Sequence, residues 1–358
     1  MRKCLYLPLL GAIVLFGAMP TQAQIALSPD AQSGVVIDSS VDRIAYLEDK
    51  IANMESVLET STAADTCTSS CRRAGCDCPG LIGGYDFVLF APHFSNAISY
   101  QLREIVAPVT VVNSYGYPTE YNIAPRFWLG YQGGNGLGVR LRYMQYDEQL
   151  LAATLDSADP TITLFFDGLS ATNGQVMSFA TGMELDVLDL DITQDFDVWC
   201  AKLTAGAGVR YAKLRYDYSA AVSSSLGELQ FVSAGESSFE GAGPTAFIDF
   251  KAPIRRSGLS VVGGLRGSIL FGQGRDIDVV SRIVAPVSLS SSIEIAERST
   301  GVLEGSLGLQ YDRPLTQGTD AFVRCAWEGQ LWMDVGSPVQ SDGDMTLQGL
   351  SVAFGVTR

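Results

Sequence analysis

Along most of this chain, apolar and polar residues alternate with a period of two. In LEGSLGLQYD, Leu303, Leu307, Leu309 and Tyr311 share one parity, and Glu304, Ser306, Gln310 and Asp312 the other. Successive side chains of a β-strand point to opposite faces, so such a segment has one greasy side and one wet side. The pattern recurs. Val139, Leu141 and Tyr143 alternate with Arg140 and Arg142. Leu203, Ala205, Ala207, Val209 and Tyr211 oppose Lys202, Thr204 and Arg210. Val323, Cys325, Trp327 and Leu331 oppose Arg324, Glu328 and Gln330. Strands are expected at 84–92, 123–132, 138–147, 175–192, 200–218, 238–252, 258–272, 300–312, 320–333 and 344–357. Extra pairs inside 93–122 or 148–174 would raise the count to twelve or more.

The links between these strands alternate. Those at 93–122, 148–174, 219–237 and 273–299 are long, and those at 133–137, 193–199, 253–257 and 313–319 are short. Long and short links on alternate sides, with an even strand number, characterise transmembrane β-barrels. No stretch beyond residue 23 holds the about 20 consecutive apolar residues of a spanning helix. The expectation is therefore an all-β, antiparallel transmembrane barrel of about 10–12 strands with both ends on the short-turn, periplasmic side. A soluble exported sandwich would carry the same alternation, but not the aromatic strand ends and alternating links together.

On this reading the greasy parity meets lipid and the charged parity faces the lumen. The expected lumen residues are Arg126, Arg140, Arg142, Glu184, Asp186, Arg210, Asp249, Arg266, Glu304, Arg324 and Glu328, together with Lys202 and Asp312. Enclosed charges must be hydrated or paired, so they either line a passive pore or plug a narrow barrel. ELDVLDLDI (Glu184–Ile192) interrupts the alternation, because its polar parity flips between Asp186 and Asp189. A β-bulge near Val187–Leu188 is expected there.

The residues before the strands divide into four segments. Residues 1–23 read as a secretory signal: Arg2 and Lys3, an apolar run Leu5–Met19, and a small-x-small site at Thr21–Ala23. Residues 24–40 read as a linker. In 41–60, Ile44, Leu47, Ile51, Met54 and Leu58 repeat at alternating spacings of three and four, the a/d seam of a short coiled-coil helix that would support a homo-oligomer. Residues 61–81 hold Cys67, Cys71, Cys76 and Cys78; in an exported chain four close cysteines favour disulfides, within or between chains. A metal site is the sharper alternative, but the usual C-x2-C knuckle is missing. The barrel would occupy 82–358.

Composition adds little beyond exclusions. A formal charge of −15 argues against nucleic-acid binding. The single histidine, His93, follows the first strand, and no P-loop, G-x-S-x-G or His-rich metal motif is present. No enzyme activity, cofactor or metal is expected. The expected partners are outer-membrane lipid, the barrel-assembly machinery and further copies of the chain.

Several segments carry a family resemblance: GGYDFVLFAP (Gly83–Pro92), GVRYAKLRYDY (Gly208–Tyr218), FEGAGPTAFIDF (Phe239–Phe250), GLRGSILFG (Gly264–Gly272), WEGQLW (Trp327–Trp332) and GLSVAFGVTR (Gly349–Arg358), preceded by the cysteine segment. The chain resembles the pore-forming outer-membrane proteins related to the Legionella major outer membrane protein. The resemblance implies a porin-like, often oligomeric barrel in the outer membrane, giving weakly selective passage to ions and small solutes; the alternative is a non-conducting structural or adhesive surface barrel. The chain departs from many outer-membrane barrels in ending Val356-Thr357-Arg358, with Phe354 its nearest aromatic. Acidic loops at the mouths would give a weak cation preference that fades with salt.

Overall fold

The structure is a computed structural model that describes residues 79–357. Not described within that range are 96–97, 107–108, 118–119, 158–161, 167–168, 173, 199–200, 255–256, 284–287, 317–318 and 339–342. The expected signal, linker, helix (Ile44, Leu47, Ile51, Met54, Leu58) and cysteines Cys67, Cys71, Cys76 and Cys78 lie outside the described residues.

Among the described residues, fourteen strands follow in order: β1 (Gly80–Phe94), β2 (Ile98–Val106), β3 (Val109–Gly116), β4 (Asn122–Gln132), β5 (Leu137–Asp156), β6 (Ile162–Phe166), β7 (Leu169–Ala171), β8 (Val176–Val198), β9 (Ala201–Ser223), β10 (Leu229–Pro253), β11 (Leu259–Arg282), β12 (Ser288–Thr316), β13 (Thr319–Trp332) and β14 (Met345–Thr357). Ten of them close into an antiparallel barrel, in the order β1-β14-β13-β12-β11-β10-β9-β8-β5-β4. The strands inside 93–122 and 148–174 do not enlarge it. They form a separate sheet, β3-β2-β6-β7, whose side chains pack on the inner face of the upper wall: the Tyr100 and Phe179 rings lie 5.2 Å apart.

A membrane-crossing strand needs about 9–11 residues. β5 has 20, β8 and β9 have 23 each, β10 has 25, β11 has 24 and β12 has 29. The wall therefore continues well beyond any bilayer. Two of the expected long links are mostly strand. β9 and β10 are joined by a turn at 224–228, where Gly227 takes φ 81°, and 273–299 is largely the top of β11 and β12. The runs AAVSSS and SLSSS carry too little apolar contrast to announce themselves as strands.

The outer surface shows where the bilayer ends. Across β5, β8, β9, β10 and β11, one hydrogen-bonded row of outward residues is Tyr143, Leu188, Tyr211, Ala242 and Phe271. Toward the short turns, the outward residues stay apolar: Leu190 and Ile192 on β8, Val209 on β9, Ile269 and Leu265 on β11. The next row in the other direction is Asp186, Lys213, Glu240, Gln273 and Glu297. Outside turns from oil to charge within one step, and inside does the reverse. Asp189 and Asp191 point inward below the boundary, and Val187, Leu185 and Met183 above it.

That inversion explains the parity flip in ELDVLDLDI. No bulge exists at Val187–Leu188, because β8 pairs without interruption from Val176 to Val198 with β9, and from Met183 to Gln194 with β5. The solvent changed sides, not the backbone. The register shift on this pair of strands lies in β5, between Glu148 and Leu151.

The assignment of faces is testable. Ile192→Arg places a charge deep on the lipid face and should cost about 2–4 kcal/mol, whereas Glu184→Gln, above the boundary, should stay within about 0.5 kcal/mol. Urea titration of the refolded protein in lipid vesicles distinguishes the two. Equal losses would contradict the placement of the boundary.

Candidate functional site

The lumen is the candidate site, and it is built in two layers. The lower layer lies inside the lipid-facing belt. Arg142 on β5 donates from Nε to Asp189 Oδ2 on β8 at 2.7 Å and from Nη2 to Glu304 Oε2 on β12 at 3.0 Å. Arg210 on β9 holds the other side of both acids, at 2.6 Å to Asp189 Oδ1 and 2.6 Å to Glu304 Oε1. Arg266 on β11 donates two bonds to Asp191, at 3.1 and 2.7 Å. Arg140 reaches Asp249 at 3.2 Å and lies 3.6 Å from Asp191. The Phe247 ring fills the space between the last two arginines, with their guanidinium carbons 4.3 and 4.4 Å from its centroid. Gly206 leaves the room that this ring occupies; a Cβ there would collide with it. A second cluster sits beside the first. Arg126 on β4 makes a two-bond fork to Glu328 on β13, 2.8 Å each, and donates to Asp86 on β1 at 2.7 Å.

Such bidentate, charge-assisted bonds are among the strongest available to side chains, and they work here where water is scarce. Asp189, Asp191 and Arg210 have no solvent exposure. The larger cluster sets Arg140, Arg142, Arg210 and Arg266 against Asp189, Asp191, Asp249 and Glu304, an even balance. The smaller has one arginine for two acids. Arg324, stacked 5.3 Å from the Phe322 ring, has no carboxylate partner among the described residues.

In barrel order β5 and β12 stand five strands apart out of ten, so the Arg142–Glu304 contact spans the full diameter. The lumen is bridged at that level. Below it lies a cavity of about 430 Å³ toward the short-turn end, lined among others by Lys202, Lys251, Asp320, Arg324 and Trp128.

The upper layer is apolar and buried. Val88, Phe90, Met144, Leu185, Leu214, Trp332 and Leu347 meet there in one core cluster. It too crosses the barrel from wall to wall: Tyr216 on β9 points its hydroxyl to Met345 Sδ on the opposite strand β14, 3.4 Å away. Burial pushes the Tyr216 and Tyr146 phenols well above their ordinary pKa, so both stay neutral. Above the bilayer the chain thus has an ordinary hydrophobic interior, closed on itself.

Of the residues expected in the lumen, Arg126, Arg140, Arg142, Arg210, Asp249, Arg266, Glu304, Arg324 and Glu328 point inward, as do Lys202 and Asp312. Glu184 and Asp186 do not. They lie on the outer face above the boundary, and Asp186 accepts a 2.7 Å bond from the outward hydroxyl of Tyr143. The acids that do enter the network from that strand, Asp189 and Asp191, are not among those expected, and neither is Asp86. Their sequence signal is the alternation of Asp189 and Asp191 with Leu188, Leu190 and Ile192, and in the structure Asp189 faces Arg210 directly across β8 and β9. His93 points outward, 3.3 Å from Gln348 Nε2, and joins no catalytic grouping among the described residues.

A scan against family models matches residues 84–356 to the Legionella pneumophila major outer membrane protein precursor. The chain belongs to that family. The match takes in all ten barrel strands, and it makes the barrel an outer-membrane one. No curated protein matches the chain. Solved structures similar to it include the outer membrane protease OmpT from Escherichia coli, 9% identical over 77% of this chain and 95% of that one, with a TM-score of 0.37. A major outer membrane protein from Thermus thermophilus is 14% identical over 76% and 98%, with a TM-score of 0.30. The Pseudomonas putida toluene transporter TodX is 6% identical over 76% and 89%, with a TM-score of 0.23. At such values none of these adds to what the family membership of this chain says.

Proposed function

We propose that this member of the family is an outer-membrane barrel whose lumen is shut in its resting state, so that it serves the envelope as a structural surface barrel. The observation that carries the reading is the Arg142–Glu304 contact at 3.0 Å, which closes the full diameter within the membrane. The apolar layer above it is a second, independent seal. A hydrated ion passing through would have to break paired charges and then cross a dry core.

Porin-like passage of ions and small solutes is the second reading, and one observation favours it. Enclosed ion pairs are usually no more stable than apolar packing of the same volume. A barrel that only needed filling would do as well with leucine. Charges kept inside, next to a cavity of about 430 Å³, suit a lumen that is wet part of the time. If it opens, the acidic outer belt should give a weak cation preference that weakens with salt.

Planar-bilayer recording of the purified, refolded full chain separates the two. The resting-shut reading expects no steady conductance at low voltage. A steady ohmic current from the unmodified protein would overturn it and establish the porin reading.

A further inference from the structure

Toward its short-turn end the lumen changes from dry to wet. Asp189 and Arg210 have no exposure, whereas the side chains of Lys202 and Lys251, near the lower ends of β9 and β10, are 39% and 36% exposed. Both line the cavity of about 430 Å³, and Arg324 on β13 lines it with them. The other charges around this cavity are engaged. Asp86 and Glu328 are held by Arg126, Asp249 by Arg140, and Glu304 by Arg142 and Arg210. Asp195 takes Lys202 at 2.9 Å, and Asp320 has a partner of its own. Arg324 is the exception. Among the described residues it has no carboxylate and no hydrogen bond, and its Nε is closed off from solvent with nothing to donate to. The register shows why. Across β12 and β13, Arg324 faces Gln310, and Phe322 faces Asp312. Asp312 is already engaged twice, by Lys251 Nζ at 2.8 Å and by Gln310 Nε2 at 2.7 Å. Arg324 is also held in place. Its guanidinium carbon lies 5.3 Å from the centre of the buried Phe322 ring, which stacks in turn on Trp128 at 6.1 Å.

We propose that Arg324 anchors a binding site for a small carboxylate that enters the lumen from the short-turn end. An enclosed cation without a counter-charge is costly, and this one is short of a partner in a cavity with room for one. Three properties set the class of the ligand. First, a single positive charge is uncompensated, so a single negative charge balances it. A phosphate dianion would bring a second one to a wall that already holds Asp312 and Asp320. Second, a guanidinium presents its donors as a planar fork, which matches the two oxygens of a carboxylate and not a spherical halide. Lys251 adds to the attraction, since Asp312 uses only one of its three N–H groups. Third, the stacked rings of Phe322 and Trp128 hold the guanidinium ready, so little is lost in ordering it on binding. The Arg142–Glu304 contact closes the cavity above, which makes it a cul-de-sac that holds a small molecule instead of passing it on. That last point rests on the shut lumen proposed for this barrel; the site itself does not.

Fluorine NMR of trifluoroacetate, titrated with the refolded full chain in detergent micelles, tests it. The resonance should shift and broaden saturably, with one site per chain. Acetate should displace the probe, and chloride or inorganic phosphate at the same concentration should do so much less. Trifluoroacetamide, of the same shape without the charge, should not bind. Arg324→Gln should weaken binding at least tenfold and keep the heat-modifiable gel mobility of an intact barrel. Arg324→Lys keeps the charge without the fork and should fall between the two; it carries the test if the glutamine variant does not fold. Absence of a saturable shift, equal binding of trifluoroacetamide, displacement by chloride or phosphate as effective as by acetate, or undiminished binding in either folded variant would each overturn the proposal. Binding is read without reference to conductance, so a steady current from the unmodified protein would overturn the closure and leave a saturable, Arg324-dependent shift in support of the site.

Discussion

Asp189→Ala should be the most damaging single change in the barrel. Asp189 takes bonds from Arg142 at 2.7 Å and from Arg210 at 2.6 and 3.1 Å, and lies 3.6 Å from Arg266, with no exposure of its own. Removing it leaves three guanidinium groups facing one another at the level of the bilayer with one counter-charge fewer. Breaking one partner of an enclosed ion pair costs about 3–5 kcal/mol, because the other charge stays behind without compensation. Here the loss falls on three. The expected result is a protein that fails to reach the heat-resistant folded band, or unfolds in vesicles at a much lower urea concentration. Asp189→Asn keeps the shape and two hydrogen-bonding atoms and should be damaging too, since the charge is the larger part of what is lost. Arg324→Gln is the control. Arg324 has no carboxylate to abandon among the described residues, so its replacement should be mild. A tolerant Asp189→Ala would mean that water or ions hydrate these groups, and that the lower layer is far wetter than its burial indicates.

The second large effect is on conductance. Arg142→Ala with Glu304→Ala removes the contact that spans the barrel and takes one charge of each sign from the cluster, which stays balanced. The double variant should therefore fold far better than either single one, by the non-additivity expected of groups in contact. If the ion-pair layer is the main barrier, planar-bilayer recordings should change from silent to discrete current steps. If the apolar layer also holds, they should stay silent until a core residue such as Met345 is cut to alanine as well. Steps of equal size in the unmodified protein would remove Arg142 and Glu304 from any part in closure.

Much of this molecule can be read from its residues, and the parts that cannot share one cause. All ten barrel strands are legible because each keeps a strict alternation through the bilayer, as in Leu303, Leu307 and Leu309 against Glu304 and Ser306. Their upper ends are not. Alternation marks a strand only where its two faces meet different surroundings, and beyond the charged rows the outward residues of β5, β8 and β9 are Ala, Ser and Thr, close in polarity to what a loop would carry. The same blindness puts Glu184 and Asp186 inside. The rule that a polar residue points toward the lumen holds only as far as lipid covers the outside. Tyr143, whose hydroxyl reaches Asp186, marks the place where it stops holding. The partners within the lumen are legible as charges but not as pairs, since Arg142 and Glu304 are 162 positions apart and meet only once the barrel closes.

The charged row Asp186–Lys213–Glu240 lies directly above Leu188, Tyr211 and Ala242, and the Tyr211 hydroxyl donates to Glu240 across the step at 2.7 Å. A barrel sinking toward its short-turn end by a single residue pair would drag carboxylates and an ammonium into hydrocarbon, each resisted more strongly the deeper it goes. Rising is opposed by the aromatic and aliphatic residues beneath, which would be drawn into water. The row therefore acts as a collar, setting how far the molecule rides in its bilayer much as a flange seats a pipe.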